Sequence, residues 1–175
     1  MLATIGVIPA RIAAPDIDET PHRGEPAPAY ALRMAEEKAR AVVLMPGEVA
    51  LSGDTVVAIG RRILPRAATS DEVTACLRLL SGRRHKVYSA LATIEPAGRL
   101  RTRLSTSIVA FAPLDAVTIA AYAQSGEGVG KAGGYAIQGR AGAFVRWMSG
   151  SYSGIVGLPL FEARALLITA GIPLG

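Results

Sequence analysis

Residues 86–111 read KVYSALATIE-PAG-R-LRTRLSTSIVAF, and this stretch decides the fold. Two long β-rich runs, Lys86 to Glu95 and Leu100 to Phe111, flank Pro96-Ala97-Gly98, a turn signal that folds them back as a hairpin. Upstream, Pro26 to Pro28 opens a segment with apolar residues at Ala31, Leu32, Ala35, Ala39, Val42 and Val43. That spacing predicts an amphipathic helix to about Leu44, stopped by Pro46-Gly47. Val49 to Ile59 reads as a buried strand interrupted at Ser52-Gly53-Asp54, and Ala10 to Ala13 as a short strand entering a Pro-bounded acidic loop. Thr69 or Ser70 caps a helix that ends at Ser81-Gly82, with Asp71 and Glu72 in its first turn. After the hairpin come a helix from Leu114-Asp115 to about Gln124, a glycine-rich loop from Ser125 to Gly142, and a strand around Phe144 to Met148. A helix from Pro159 to Ala170 closes the chain. This order predicts an α/β fold, a mixed β-sheet flanked by helices, in one domain spanning residues 1–175.

Composition narrows the class further. Half of the 175 residues are hydrophobic and 19% are charged, which excludes a disordered or low-complexity chain. Mean hydropathy is +0.33, yet no apolar run spans a bilayer. The strongest candidate, Ile155 to Leu174, is broken by Pro159, Glu162, Arg164 and Pro173. Met1 to Ile12 has no charged segment ahead of an apolar run, so no secretory signal is expected. The lone Cys76 excludes an internal disulfide and a cysteine-based zinc site, pointing to the cytoplasm, with no membrane partner. The net charge is +5, and lysine appears only at 38, 86 and 131 among 19 basic residues. Such a balance suits a pocket for a small polyanion; a nucleic-acid surface would need more than three Phe, five Tyr and one Trp.

Two glycine motifs are decoys. Gly128-Val129-Gly130-Lys131-Ala132-Gly133 has the letters of a dinucleotide fingerprint, but it follows a helix and leads into none. A phosphate-loop reading at Gly130-Lys131 fails because Ala132 replaces the required hydroxyl. Asp54 is more informative, because its strand is otherwise almost without polar atoms and a buried carboxylate needs a partner. Two readings stay open: an internal salt bridge or capped turn, and a carboxylate poised on a metal or a water. Asp16, Asp18 and Glu19 form a second acidic cluster, whose default is a solvated turn. Ser81 to Lys86 packs basic residues at a helix end, and His22 and His85 are not in metal-ligand spacing. Cys76 falls on an apolar helix face as a core residue. Lys131 to Gly139 sets a lysine, Tyr135 and Gln138 among glycines, and the Gln138 amide can meet the edge of a base.

Together these segments resemble the Maf family of nucleoside triphosphate pyrophosphatases. The matching stretches are Asp16 to Pro21, Ala35 to Ala39, Asp54 to Val57, Leu80 to Tyr88, Lys131 to Gly139 and Gly150 to Leu160, in the family's order. The resemblance implies a fold related to the inosine triphosphatases, a homodimer, and a divalent metal cation, Mg or Mn. It implies hydrolysis of a nucleoside triphosphate between the α- and β-phosphates. Asp54 matches the family's proton acceptor, and Glu19 and Lys38 match acidic and basic pocket residues, with Glu19 and Asp54 as the metal-binding pair. Arg66 and Lys131 match phosphate-facing cations, and Thr55 and Gln138 match positions that set base preference, here similar to members acting on dTTP and UTP. Gly128 and Gly53 stand where the family has a bulky residue and an alanine. Met1 to Gly6 matches the end of the family's first helix, which implies an N-terminally shortened domain without the phosphate-binding loop. The alternative it leaves is a nucleotide-binding protein with weakened catalysis.

Overall fold

The computed structural model describes residues 1–174. Its strands are β1 (Ala50–Ile59), β2 (Arg62–Leu64), β3 (Arg84–Ile94), β4 (Leu100–Phe111) and β5 (Val145–Ser149), forming one sheet in the order β2-β1-β3-β4-β5. The helices are α1 (Ala27–Arg40), α2 (Ser70–Leu80), α3 (Ala116–Gln124), α4 (Tyr152–Val156) and α5 (Leu160–Thr169). The α/β class and flanking helices are as expected. The hairpin pairs Arg84–Ile94 with Leu100–Phe111, its turn closed by Gly98 N–H donating to the Glu95 carbonyl.

Among the described residues every pairing is antiparallel, where a mixed sheet was expected. The reason is topological. α2 carries the chain from β2 to β3, which run in the same direction, but β1 lies between them and separates the parallel strands. β1 also runs unbroken through Ser52-Gly53-Asp54, paired with Ala92, Leu91 and Ala90 of β3.

Strand alternation gives the sheet two working faces. Val56, Ala58, Ala90 and Ala92 point toward Ala31, Ala35 and Ala39 of α1, and small side chains on both sides bring the helix close to the sheet. On the opposite face Val57, Val87, Val109 and Phe111 pack with Val73, Cys76, Leu77 and Leu80 of α2 and with Tyr122 of α3. Cys76 is buried there, as its helix face predicts. α5 covers Leu91 with Ala163 and Leu166. The Thr69 hydroxyl accepts from Glu72 N–H at 3.2 Å and caps α2, and Asp115 accepts from Thr118 N–H at 2.7 Å and caps α3.

Two further local expectations are corrected, and two short elements are new. Ala10 to Ala13 is not a strand: the segment is exposed and pairs with nothing, tethered instead through Arg11 to Glu48 at 2.7 Å. α1 ends at Arg40 because Val42 and Val43 meet no core there, and Val43 is 82% exposed. β2 and α4 were not anticipated, being three and five residues long and too short to carry a periodicity. No helix among the described residues is long and apolar enough to cross a membrane.

Candidate active site

Asp54 and Lys38 meet because two periodicities converge. Even-numbered side chains of β1 face α1, and Lys38 lies beside the buried Ala35 and Ala39 of that helix. Lys38 Nζ sits 2.7 Å from Asp54 Oδ1 and 2.8 Å from Glu19 Oε1, so one ammonium bridges two carboxylates. Glu19 is delivered by an ordered acidic loop. Asp18 accepts from Thr20 N–H at 2.9 Å, Tyr30 donates to the Glu19 carbonyl at 2.6 Å, and Arg33 donates to the Thr20 carbonyl at 3.1 Å. A solvated turn was the default for this loop; it is a turn whose far end enters the cleft, while Asp16 stays exposed.

Burial pushes the Asp54 carboxyl above the ordinary carboxylate range, against the opposing pull of the Lys38 hydrogen bond and charge. Burial also works against the Lys38 charge, but its hydrogen bonds to Asp54 and Glu19 outweigh this and hold the ammonium above its usual range. The site at neutral pH is thus a charged lysine between carboxylates, one of them made more basic by burial.

The glycine-rich loop brings the other cations. It is stitched to the segment after β2 by a short ladder: Gly130 N–H donates to Ala67 O at 2.7 Å, Ala67 N–H to Lys131 O at 3.1 Å, and Gly133 N–H to Pro65 O at 3.0 Å. Arg66 pairs with Ala132 across it. These amides are spent on the chain's own carbonyls, which is why the two phosphate-binding motifs are decoys. Gly133 holds φ +68°, and a Cβ there would press on Val57 at 2.8 Å, so only glycine lets the loop lie flat on the sheet. A side chain at Gly128 would overlap the Gly134 carbonyl, so the close approach of the loop's two arms requires glycine there.

The result is a cavity of about 260 Å³ lined by Lys38, Asp54, Thr55, Arg66, Lys131 and Gln138 among others, with Tyr135, Ile155 and Val156 as apolar walls. A neighbouring hollow shares Asp54, Thr55 and Arg66 and includes Glu19. Every residue singled out for the site therefore lines one of two adjoining hollows. Arg66 and Lys131 are exposed and form no ion pair among the described residues, and Gln138 lies exposed at the rim. The groups left outside have other work. His85 is 2% exposed, bonded through Nε2 to Tyr135 Oη at 2.8 Å, and burial drops its pKa to about 4. Arg84 stacks over Trp147 at 4.9 Å, and Ser81 accepts from Leu114 N–H at 2.7 Å.

Sequence reasoning missed the residues that hold this frame. Tyr122 Oη accepts from Ala136 N–H at 3.1 Å and donates to Glu127 at 3.1 Å, while Glu127 also accepts from Arg140 N–H at 3.1 Å. Ser89 joins Thr55 to Gly154 across two elements. Neither carried a signal of its own in the sequence: Ser89 is one of several polar residues in its strand, and Glu127 lies in a loop.

Two carboxylates around a lysine, two cations without an ion pair among the described residues, and a neutral polar rim define an α/β domain whose cleft suits a small polyanion. The Maf-like protein family matches residues 1–170, and the chain belongs to that family. It is similar to the dTTP/UTP pyrophosphatase of Sphingopyxis alaskensis, 58% identical over 175 residues, covering 100% of this chain and 92% of that protein. The dTTP/UTP pyrophosphatases of Novosphingobium aromaticivorans and Caulobacter vibrioides are 55% and 51% identical, covering 98% of this chain and 86% and 89% of theirs.

Proposed function

We propose that this chain hydrolyses nucleoside triphosphates, dTTP and UTP by preference, to the monophosphate and pyrophosphate. The observation that carries this is the Glu19–Lys38–Asp54 bridge lining two adjoining hollows with Arg66 and Lys131, cations that form no ion pair among the described residues. The relatives named for activity on dTTP and UTP support the choice of substrate. Arg66 and Lys131 bind the phosphate chain and offset its charge, which would otherwise repel a nucleophile. Thr55 and Gln138 meet the base. Asp54, ionised beside Lys38 yet made more basic by burial, orients a water and takes its proton. The water oxygen attacks the α-phosphorus in line, the α–β bridge breaks, and pyrophosphate leaves.

Glu19 and Asp54 supply hard carboxylate oxygens that fit a divalent cation, since Mg²⁺ is commonly held by one or two carboxylates together with substrate phosphates. Bound there, Mg or Mn would neutralise phosphate charge and make a coordinated water more acidic. Lys38 holds the same two carboxylates and keeps them together at the cleft floor. The reading extends to a cytoplasmic homodimer; the free buried Cys76 and the exposed Ile8, Ile12 and Phe161 support it.

Incubation with UTP, dTTP, CTP, ATP and GTP in turn, with Mg²⁺, tests the proposal by product analysis. Monophosphate and pyrophosphate in equal amounts, fastest from UTP and dTTP, is the expected result. Nucleotide binding without turnover selects the weakened nucleotide-binding alternative instead.

A further inference from the structure

Ser89 lies on β3 below the cleft, 1% exposed, and nothing in the chemistry above uses it. Its hydroxyl is 2.5 Å from the Gly154 carbonyl oxygen of α4 and 3.2 Å from Thr55 Oγ1. A serine hydroxyl has one proton to donate and lone pairs to accept with. A carbonyl oxygen only accepts, so the Ser89 proton is committed to Gly154. Between Ser89 and Thr55, Thr55 is then the donor. Its proton points inward to Ser89, and Thr55 meets the cleft with lone pairs alone.

We propose that Ser89 is a positioning residue for base selection: by fixing the Thr55 proton it makes Thr55 an obligate acceptor. An obligate acceptor matches a base whose pairing edge carries a ring N–H, as uracil and thymine do. It mismatches cytosine, whose equivalent ring nitrogen is itself an acceptor. Gln138 cannot make this distinction by itself, because its free amide can turn either its oxygen or its NH₂ toward the ligand. Thr55 cannot turn while Ser89 holds it. Ser89 is held in turn by the Gly154 carbonyl, so the polarity of the rim is set by where α4 docks on the sheet.

This inference rests on the triphosphate pyrophosphatase reading, and the experiment separates the two. Steady-state kcat/KM is measured for UTP and CTP with the parent chain, Ser89→Ala, Thr55→Val and the double variant, with circular dichroism as the check on folding. The parent is expected to prefer UTP. Ser89→Ala frees the Thr55 proton to face cytosine, and the UTP:CTP ratio narrows about three- to tenfold, the worth of one net hydrogen bond. Thr55→Val lowers UTP turnover without raising CTP turnover, and adding Ser89→Ala to it changes the ratio no further. Should Ser89→Ala fail to fold, Thr55→Val decides: an unchanged ratio there overturns the proposal. A folded Ser89→Ala with the parent ratio overturns the role of Ser89 and leaves hydrolysis standing. A parent chain that turns over neither nucleotide overturns both.

Discussion

A carboxylate in a strand of Val, Ala and Leu must be neutralised or removed from the core, and Asp54 is placed between these outcomes. Its side chain is 14% exposed, paired with Lys38, and still open to the cleft. The internal ion pair read from the sequence is therefore present, and the same carboxylate still lines the cleft. The residue was legible because its neighbours are apolar; Ser89 was not, since a serine in a strand gains meaning only from what lies across it. At this scale Arg66 and Lys131 carry a prediction. Both are exposed cations without an ion-pair partner among the described residues, so Lys131→Ala or Arg66→Ala should raise KM for UTP about three- to tenfold with little change in thermal midpoint. Raising salt from 50 to 300 mM should weaken the parent more than either variant, because exposed charges are screened.

The elements divide by length. The hairpin was legible because each arm exceeds ten residues and the turn carries Pro and Gly. β2 and α4 were not, although β2 sets the start of the segment that bears Arg66, and α4 anchors Ser89. The loop between α3 and β5 was legible as glycine-rich, but not as ordered. Its order comes from Tyr122, whose hydroxyl bridges the Ala136 amide and the Glu127 carboxylate, and burial pushes that phenol up to about 12. Tyr122→Phe leaves a buried amide without an acceptor, a cost of about 1–3 kcal/mol. The expected outcome is a lower thermal midpoint together with a raised KM for UTP, since Lys131 and Gln138 ride on the same loop. A lowered midpoint with an unchanged KM would detach the loop's order from substrate binding.

Over the whole molecule, strand order is what the sequence could not disclose. Pairing β1 between β2 and β3 is a long-range choice decided by which faces α1 and α2 cover, and no local window contains it. Global stability carries its own titration. His85 is buried neutral with a pKa of about 4, below the unfolded value near 6.5. Above pH 6.5 neither state binds the proton; as pH falls below that, the unfolded chain takes it up first and stability declines until about pH 4. Between pH 7 and pH 5 the loss should be about 2 kcal/mol, read as a shift in urea midpoint. In His85→Phe that slope should flatten.

The proposed hydrolysis places its chemistry on one side chain, and Asp54→Asn tests that assignment most directly. The substitution keeps size and hydrogen bonding but removes the base and the negative charge facing Lys38. Pyrophosphate release from UTP is measured alongside the circular dichroism spectrum of parent and variant. A native spectrum with release reduced at least about a hundredfold is the predicted result. A native spectrum with release equal to the parent's would contradict the account.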